Sequence, residues 1–304
     1  MANIVLLGPD SWATNYKIVP TVSSNNLTVA LKTAAGTDPS ASNPVMVRIG
    51  DTERLITSAL SVTKAAGTNW CNSGGSELAT LEVDYFVYLG YNATDGVTIG
   101  FSRIPFATVY SDFSATTTNE KYCAISTIAN AAAGDYYTNI GRFAATLSAG
   151  AGYTWTVPTF TNANLIQRPI FETRLLDWVP TWTNLTTTSG TLVAKYQIIN
   201  NKLSFTNSIV FGASTAITGT PTFILPMSRL AGVYSANNGH TSGVRIIDSG
   251  TSTMSGIGSI TATAFTPQAS VASTSYVTNA LLSSTVPMTW TTNDELSIIC
   301  EYWI

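Results

Sequence analysis

The sequence predicts an all-β protein: two β-sandwich or jelly-roll-like domains joined by a short apolar neck. Three observations predict it. Charged residues make up only 10% of the 304, against about 25% in an ordinary soluble domain. Thr, Ser and Asn fill the polar share instead, and they suit strands and turns better than helices. Apolar residues recur at period two in short runs, and turn chemistry separates those runs at roughly ten-residue spacing in the C-terminal region. Hydrophobic residues at 45% with a net charge of -3 supply a core and exclude a disordered chain.

The first region is residues 1–160. Leu27, Val29 and Leu31 alternate with Thr28, Ala30 and Lys32, a strand pattern. Gly36, Pro39, Asn43 and Pro44 mark turns. Val45, Val47 and Ile49 predict the next strand, followed by a turn over 51–53. The strongest apolar segment is 78–91. Leu81, Val83, Tyr85, Val87 and Leu89 fall on one side of it, and Glu82, Asp84, Phe86 and Tyr88 on the other. A strand buried on one face at its start and on both faces later gives that pattern. Asp95 and Gly96 form a hairpin signal leading into a strand over 97–105. Residues 123–133, Ala-rich and stopped by Gly134, predict one short helix. Two further strands are expected at 140–147 and 153–158.

Residues 161–177 read as a connector. Leu165, Ile166, Ile170, Phe171, Leu175 and Leu176 are apolar, with Gln167, Arg168, Glu172 and Arg174 between them. A free linker this apolar would be poorly solvated. It is covered either by the flanking domains or by its own symmetry mates in an oligomer neck, and the neck is favoured. In the second region, 178–304, Leu192, Ala194, Tyr196 and Ile198 share a strand face. Asn200 and Asn201 make a tight turn. Leu203, Phe205, Ile209 and Phe211 then oppose Ser204, Thr206 and Ser208, completing a hairpin with its register set by alternation. The last strand, 296–303, alternates too, and its place at the end of the chain suggests a strand pinned inside a sheet rather than frayed.

Several function classes are disfavoured. Lys plus Arg number 14 and Asp plus Glu 17, with no basic run, so a nucleic-acid surface is not expected. No apolar stretch approaches the roughly 18 residues that span a bilayer. The short run Ile4, Val5, Leu6 and Leu7 has no positive charge before it and does not read as a secretory signal. Cys71, Cys123 and Cys300 are too few for a disulfide framework and read as buried thiols. His240 is the only histidine and no cysteines have ligand spacing, so neither a metal nor a cofactor is expected.

Trp178, Pro180 and Trp182, the strand through Ala194, Lys195 and Tyr196, the segment Phe223, Leu225 and Pro226, and the ending Pro287, Met288, Trp290, Asp294, Leu296 and Tyr302 carry a resemblance. Together they resemble the C-terminal domain of tail-fibre and tail-tip proteins of tailed bacteriophages, over about the last 127 residues. That family often has a Gly-Asp turn before its last strand, where this chain has Asn293 and Asp294. The resemblance implies a homotrimer in the virion, bound to other tail proteins and contributing to recognition of a host glycan or protein. A surface-type composition with no secretory signal fits synthesis in the bacterial cytoplasm and release by lysis, as for a virus particle of bacteria.

For chemistry, a histidine-dependent triad would have to use His240, which sits in 237–243, a loop by its local composition. It is expected to face solvent, and no catalytic residue is assigned. Glycan cleavage by a tail enzyme is the alternative, and a head decoration or collar protein is a third option. Cleavage needs two carboxyls facing across a sugar. Glu77, Glu82, Asp84, Asp294 and Glu295 are the candidates. Glu82 and Asp84 share a strand face, while Asp294 and Glu295 read as solvated turn charges. Gly74, Gly75, Gly256 and Gly258 read as turns, not phosphate loops. The better lead is a binding loop in which Tyr234, Asn237, Asn238, His240 and Arg245 offer an aromatic face and polar groups to sugar hydroxyls. Trp178, Trp182 and Trp290 are expected in the core or an interface.

Overall fold

A computed structural model describes residues 15–67, 81–113, 135–148, 154–163, 171–229, 240–272 and 276–304. Among them the fold is all-β, with one 3-10 turn at Tyr110–Phe113. The expected helix over 123–133 lies outside the described residues, as do Cys71, Cys123 and Glu77. The chain divides into two compact units, Met1–Thr173 and Arg174–Ile304.

The first unit contains β1 (Tyr16–Ser23), β2 (Asn26–Thr33), β3 (Val45–Ile49), β4 (Thr52–Ile56), β5 (Leu60–Lys64), β6 (Glu82–Asn92), β7 (Gly96–Ser102), β8 (Tyr136–Thr146) and β9 (Phe160–Asn162). They form a three-stranded sheet β1-β2-β5, a hairpin β3-β4 and a four-stranded sheet β7-β6-β8-β9. The Asp95-Gly96 signal holds. Asn92 Oδ1 accepts from the backbone N–H of Thr94 and Asp95 at 2.9 and 2.7 Å, and Gly96 takes φ +73° where a side chain would be strained.

Three local expectations need correction. The turn after β3 is Gly50 and Asp51, and Thr52 and Glu53 already belong to β4, because Arg48 pairs with Glu53 across the hairpin. Over the described residues 154–158 no strand forms. Trp155 makes one bridge to Leu147, and the pairing strand comes later, at β9. Strand β6 is buried on both faces from Val83 to Gly90, including Asp84, which forms an ion pair with Arg142 at 3.6 Å. Its core partners are aromatic. Tyr85 stacks on Phe143 at 5.3 Å and meets Phe101 and Trp155 edge-on.

The second unit contains β10 (Leu176–Asp177), β11 (Trp182–Thr186), β12 (Thr191–Ile199), β13 (Lys202–Val210), β14 (Ala216–Ile224), β15 (His240–Asp248), β16 (Ser252–Ile260), β17 (Ala264–Ala272), β18 (Val277–Leu281) and β19 (Glu295–Trp303). Where two facing sheets were expected, all ten lie in one sheet, ordered β10-β12-β13-β19-β15-β16-β17-β14-β11, with β18 also pairing β17. The sheet curls on itself. Strands β13 and β14 stand five places apart in that order, about 24 Å if flat, yet the Phe205 and Phe223 rings are 5.6 Å apart. Its two ends, Asp177 and Trp182, are joined by so few residues that they lie within about 18 Å.

Opposite walls of one sheet therefore supply the two faces of the core. Phe223 stacks on Phe265 at 5.3 Å, Trp178 meets Phe205 and Phe223 at 5.7 and 5.8 Å, and Trp182 meets Phe223 at 4.6 Å. Each such ring, once buried, stabilises by about 1.5–3 kcal/mol. Trp290 stacks on Phe211 at 4.7 Å. The Asn200-Asn201 turn closes the β12–β13 hairpin, with Ile199 opposite Lys202 and Asn200 at φ +53°. Strand β19 is central, paired along its length to β13 and over most of it to β15. The sheet path ends in β10, two residues long, and β11, where a bulge between Thr183 and Leu185 holds Asn184 at φ +58°.

Candidate functional site

Alternation fixes what the outer face of the second unit carries. Leu296, Ile298, Cys300 and Tyr302 point into the core, so Ser297, Ile299, Glu301 and Trp303 point out. Register then lines up their neighbours. Glu301 lies beside Ser204 on β13 and Thr241 on β15, and Ser204 lies beside Gln197 on β12. Ile299 lies beside Thr206 and Gly243, and Thr206 beside Lys195. These side chains line a groove of about 460 Å³.

The exposed lining of the groove is mostly apolar, and the ionic groups in and beside it are neutralised in pairs. Lys202 Nζ donates to Glu301 Oε1, and Ser204 Oγ donates to Glu301 Oε2 at 3.3 Å. The Lys202 hydrogen bond holds the Glu301 carboxyl below its usual range, against the opposing effect of burial. Lys195 pairs with Asp177 at 2.5 Å. Two residues beyond Glu301 on the same face, Trp303 keeps 40% of its surface exposed, with the Lys202 ammonium over its ring, 5.2 Å from the centre.

A second opening adjoins the groove through Thr241 and Ser242. The β15–β16 ladder pairs Val244–Asp248 with Ser252–Gly256 and stops there. Beyond it, side chains replace backbone bonds. Gly258 N–H donates to Ser242 Oγ at 3.0 Å, Ser242 Oγ donates to Gly258 O at 3.3 Å, and His240 Nε2 lies 2.9 Å from the same carbonyl. The carbonyl can only accept, so Nε2 carries the proton, and Nδ1 is buried without a partner. The resulting fissure, about 490 Å³, is lined by His240, Thr241, Ser242, Ile257, Gly258 and Gln268.

The expected binding loop is only partly placed. Tyr234, Asn237 and Asn238 lie outside the described residues. His240 and Arg245 are on strand β15, not in a loop, because β15 pairs with β19 from His240 onward. They stand five residues apart, hence on opposite faces and about 17 Å apart along the strand. His240 faces inward opposite Tyr302, while Arg245 is exposed opposite Ser297. Of the apolar connector, Leu165, Ile166 and Ile170 lie outside the described residues. Phe171 meets Phe106 edge-on at 5.2 Å within the first unit, Leu176 is buried in β10, and Leu175 is 62% exposed beside the groove.

The carboxylates also differ from expectation. Asp84 is fully buried against Arg142, and Glu82 accepts from Thr159 Oγ1. Asp294 is not solvated. It is fully buried, with Oδ1 accepting from Ser249 N–H at 2.9 Å and Oδ2 from Thr291 N–H and Oγ1 at 2.5 and 3.2 Å. Among the described residues no group of three or more His, Cys, Asp or Glu is placed to hold a metal ion. The Cys300 thiol is pushed up to about 12, chiefly by burial.

Sequence reasoning missed Lys202, Glu301 and Trp303. The alternation that buries Cys300 and Tyr302 puts Glu301 and Trp303 outside and could have found those two. Lys202 needed the register with a strand about a hundred residues away. Protein-family models, curated proteins and solved structures give no match to this chain. The resemblance to phage tail proteins thus rests on the residues that carry it.

Proposed function

We propose that this chain is a non-enzymatic structural protein of a bacteriophage tail, a fibre or tail-tip component, that contributes to host-surface recognition by binding. The observation that carries the binding half is the outer groove of the second unit, where hydroxyl, amide and ion-paired groups sit on a rigid sheet beside an exposed tryptophan. Such a surface recognises by many weak contacts, and repetition about a symmetry axis multiplies them. The tail location rests on the resemblance of the C-terminal region. A homotrimer accords with the scarcity of charge and with exposed Val193, Ile257, Ile299 and Leu281 on the second unit. Its partners are copies of itself, other tail proteins and a host glycan or protein, with no nucleic acid and no membrane insertion.

The glycan-cleaving alternative loses its leading pair, because Asp84 is spent on Arg142 with no surface to offer a substrate. The test is an antibody against the second unit applied to intact phage particles. Tail labelling supports the proposal, while head or collar labelling overturns the location. Light scattering of the purified chain should give about three times its 32.2 kDa mass, and a clean monomer removes the trimer.

A further inference from the structure

We infer that Trp303, Glu301, Lys202, Ser204 and Gln197 form a subsite for one uncharged pyranose ring, stacked on the indole and hydrogen-bonded to the strand-borne polar groups. This deepens the binding half of the function proposed above and rests on it.

Four observations converge. Trp303 sits at the end of β19 with 40% of its surface open, while the aromatic core residues are buried. A flat aromatic face suits the apolar face of a sugar ring. Next to it stand groups of both hydrogen-bond kinds. Glu301 accepts, Lys202 donates, and Ser204 and the Gln197 amide can do either. Gln197, Ser204 and Glu301 occupy adjacent strands at one level of the sheet, about 4.8 Å from one strand to the next, and Lys202 stands two residues along β13, opposite Trp303. Finally, the charges cancel locally. Lys202 and Glu301 satisfy each other, as do Lys195 and Asp177 at the far side of the groove. A carboxylated or cationic sugar would break one of these pairs, whereas a neutral hydroxyl adds to the network.

The ion pair also orients the site. Lys202 is bound to Glu301 and lies over one face of the Trp303 ring, 5.2 Å from its centre, so a sugar must stack on the opposite face. Its position is thereby fixed relative to both, so a ligand meets a preformed set of donors and acceptors.

Saturation-transfer NMR on the full chain tests this with four neutral probes: the methyl glycosides of glucose, galactose, mannose and N-acetylglucosamine. Glucuronic acid and glucosamine serve as charged comparisons. At least one neutral glycoside should receive saturation at its ring protons. The Trp303→Ala variant should lose about tenfold in affinity, from the loss of stacking. The Trp303→Phe variant should stay within about threefold of the parent. The Glu301→Gln variant should lose about tenfold, the worth of a hydrogen bond to a charged acceptor. The Thr253→Ala variant, on the outward face of β16 away from the groove, should change nothing.

If Trp303→Ala does not fold, the Trp303 indole N–H signal decides. It is assigned as the peak missing from Trp303→Phe, and it must shift during titration with the bound glycoside. Silence of all four neutral probes, preference for the charged sugars, or an unmoved indole signal overturns the subsite. If the full chain coats host cells and Trp303→Ala coats them equally, the tail proposal stands and the subsite falls.

Discussion

Replacing Asp294 by alanine is the sharpest test of how the second unit is held together. A solvated turn carboxylate would be worth less than about 0.5 kcal/mol. The structure makes a different prediction. Both Asp294 oxygens are buried and accept three hydrogen bonds, two of them from backbone N–H groups, of Ser249 in the turn after β15 and of Thr291 ahead of β19. The alanine variant orphans both. Each buried donor left without a partner costs about 1–3 kcal/mol, so the loss should be roughly 2–6 kcal/mol. For a unit of this size that is a fall in Tm of roughly 10–20 °C. Differential scanning calorimetry of the full chain would read it as a downward shift of one transition. The Asp294→Asn variant keeps one acceptor oxygen but turns an amino group toward a donor, so it should fall in between. A shift under about 2 °C for the alanine variant would refute the role of Asp294 in tying the turn after β15 to the segment before β19, because two orphaned amides cannot cost so little.

Other outcomes can be checked alongside. Lys202 holds the Glu301 pKa down, so their pair stabilises above the usual glutamate range and is lost as pH falls through that lowered value. The pair is partly exposed, so the effect should stay under about 1 kcal/mol, and the Glu301→Gln variant should flatten that part of the pH–stability profile. The Cys300 thiol, buried and pushed up to about 12, should ignore a disulfide reagent at pH 8 until the chain unfolds. Measuring this in a Cys71→Ser, Cys123→Ser background isolates it. A Gly258→Ala change would place a methyl 1.9 Å from the Phe265 ring. It should cost about 1–3 kcal/mol and disturb the fissure, seen as a lower denaturation midpoint.

What the sequence disclosed was mostly local. The β12–β13 hairpin was legible because its alternation and the Asn200-Asn201 turn act over a few residues. The interior position of β19 was legible because a strand with Leu296, Ile298, Cys300 and Tyr302 on one face needs neighbours. Residues 240–243 were misread because the Asn, Gly and Ser around them are turn formers, yet pairing with β19 draws His240 through Gly243 into a strand. Asp294 was misread for a similar reason: its spacing marks a turn, but only the approach of Ser249 from 45 positions away buries it. Sandwich and curled sheet share the same alternation. Only the pairing of distant strands separates them.

The ends of the ten-stranded sheet bear on colloidal behaviour. A charge-poor protein with regular strands risks recruiting further copies along any long, straight rim. Here one terminus of the path is two residues long and the other is kinked at Asn184. Neither end of the path offers an incoming chain more than a few amides in register, which leaves the five-residue β18, off the path and paired to β17, as the remaining rim. Straightening Asn184 or lengthening the two-residue strand would lift that protection and leave the interior of the unit intact.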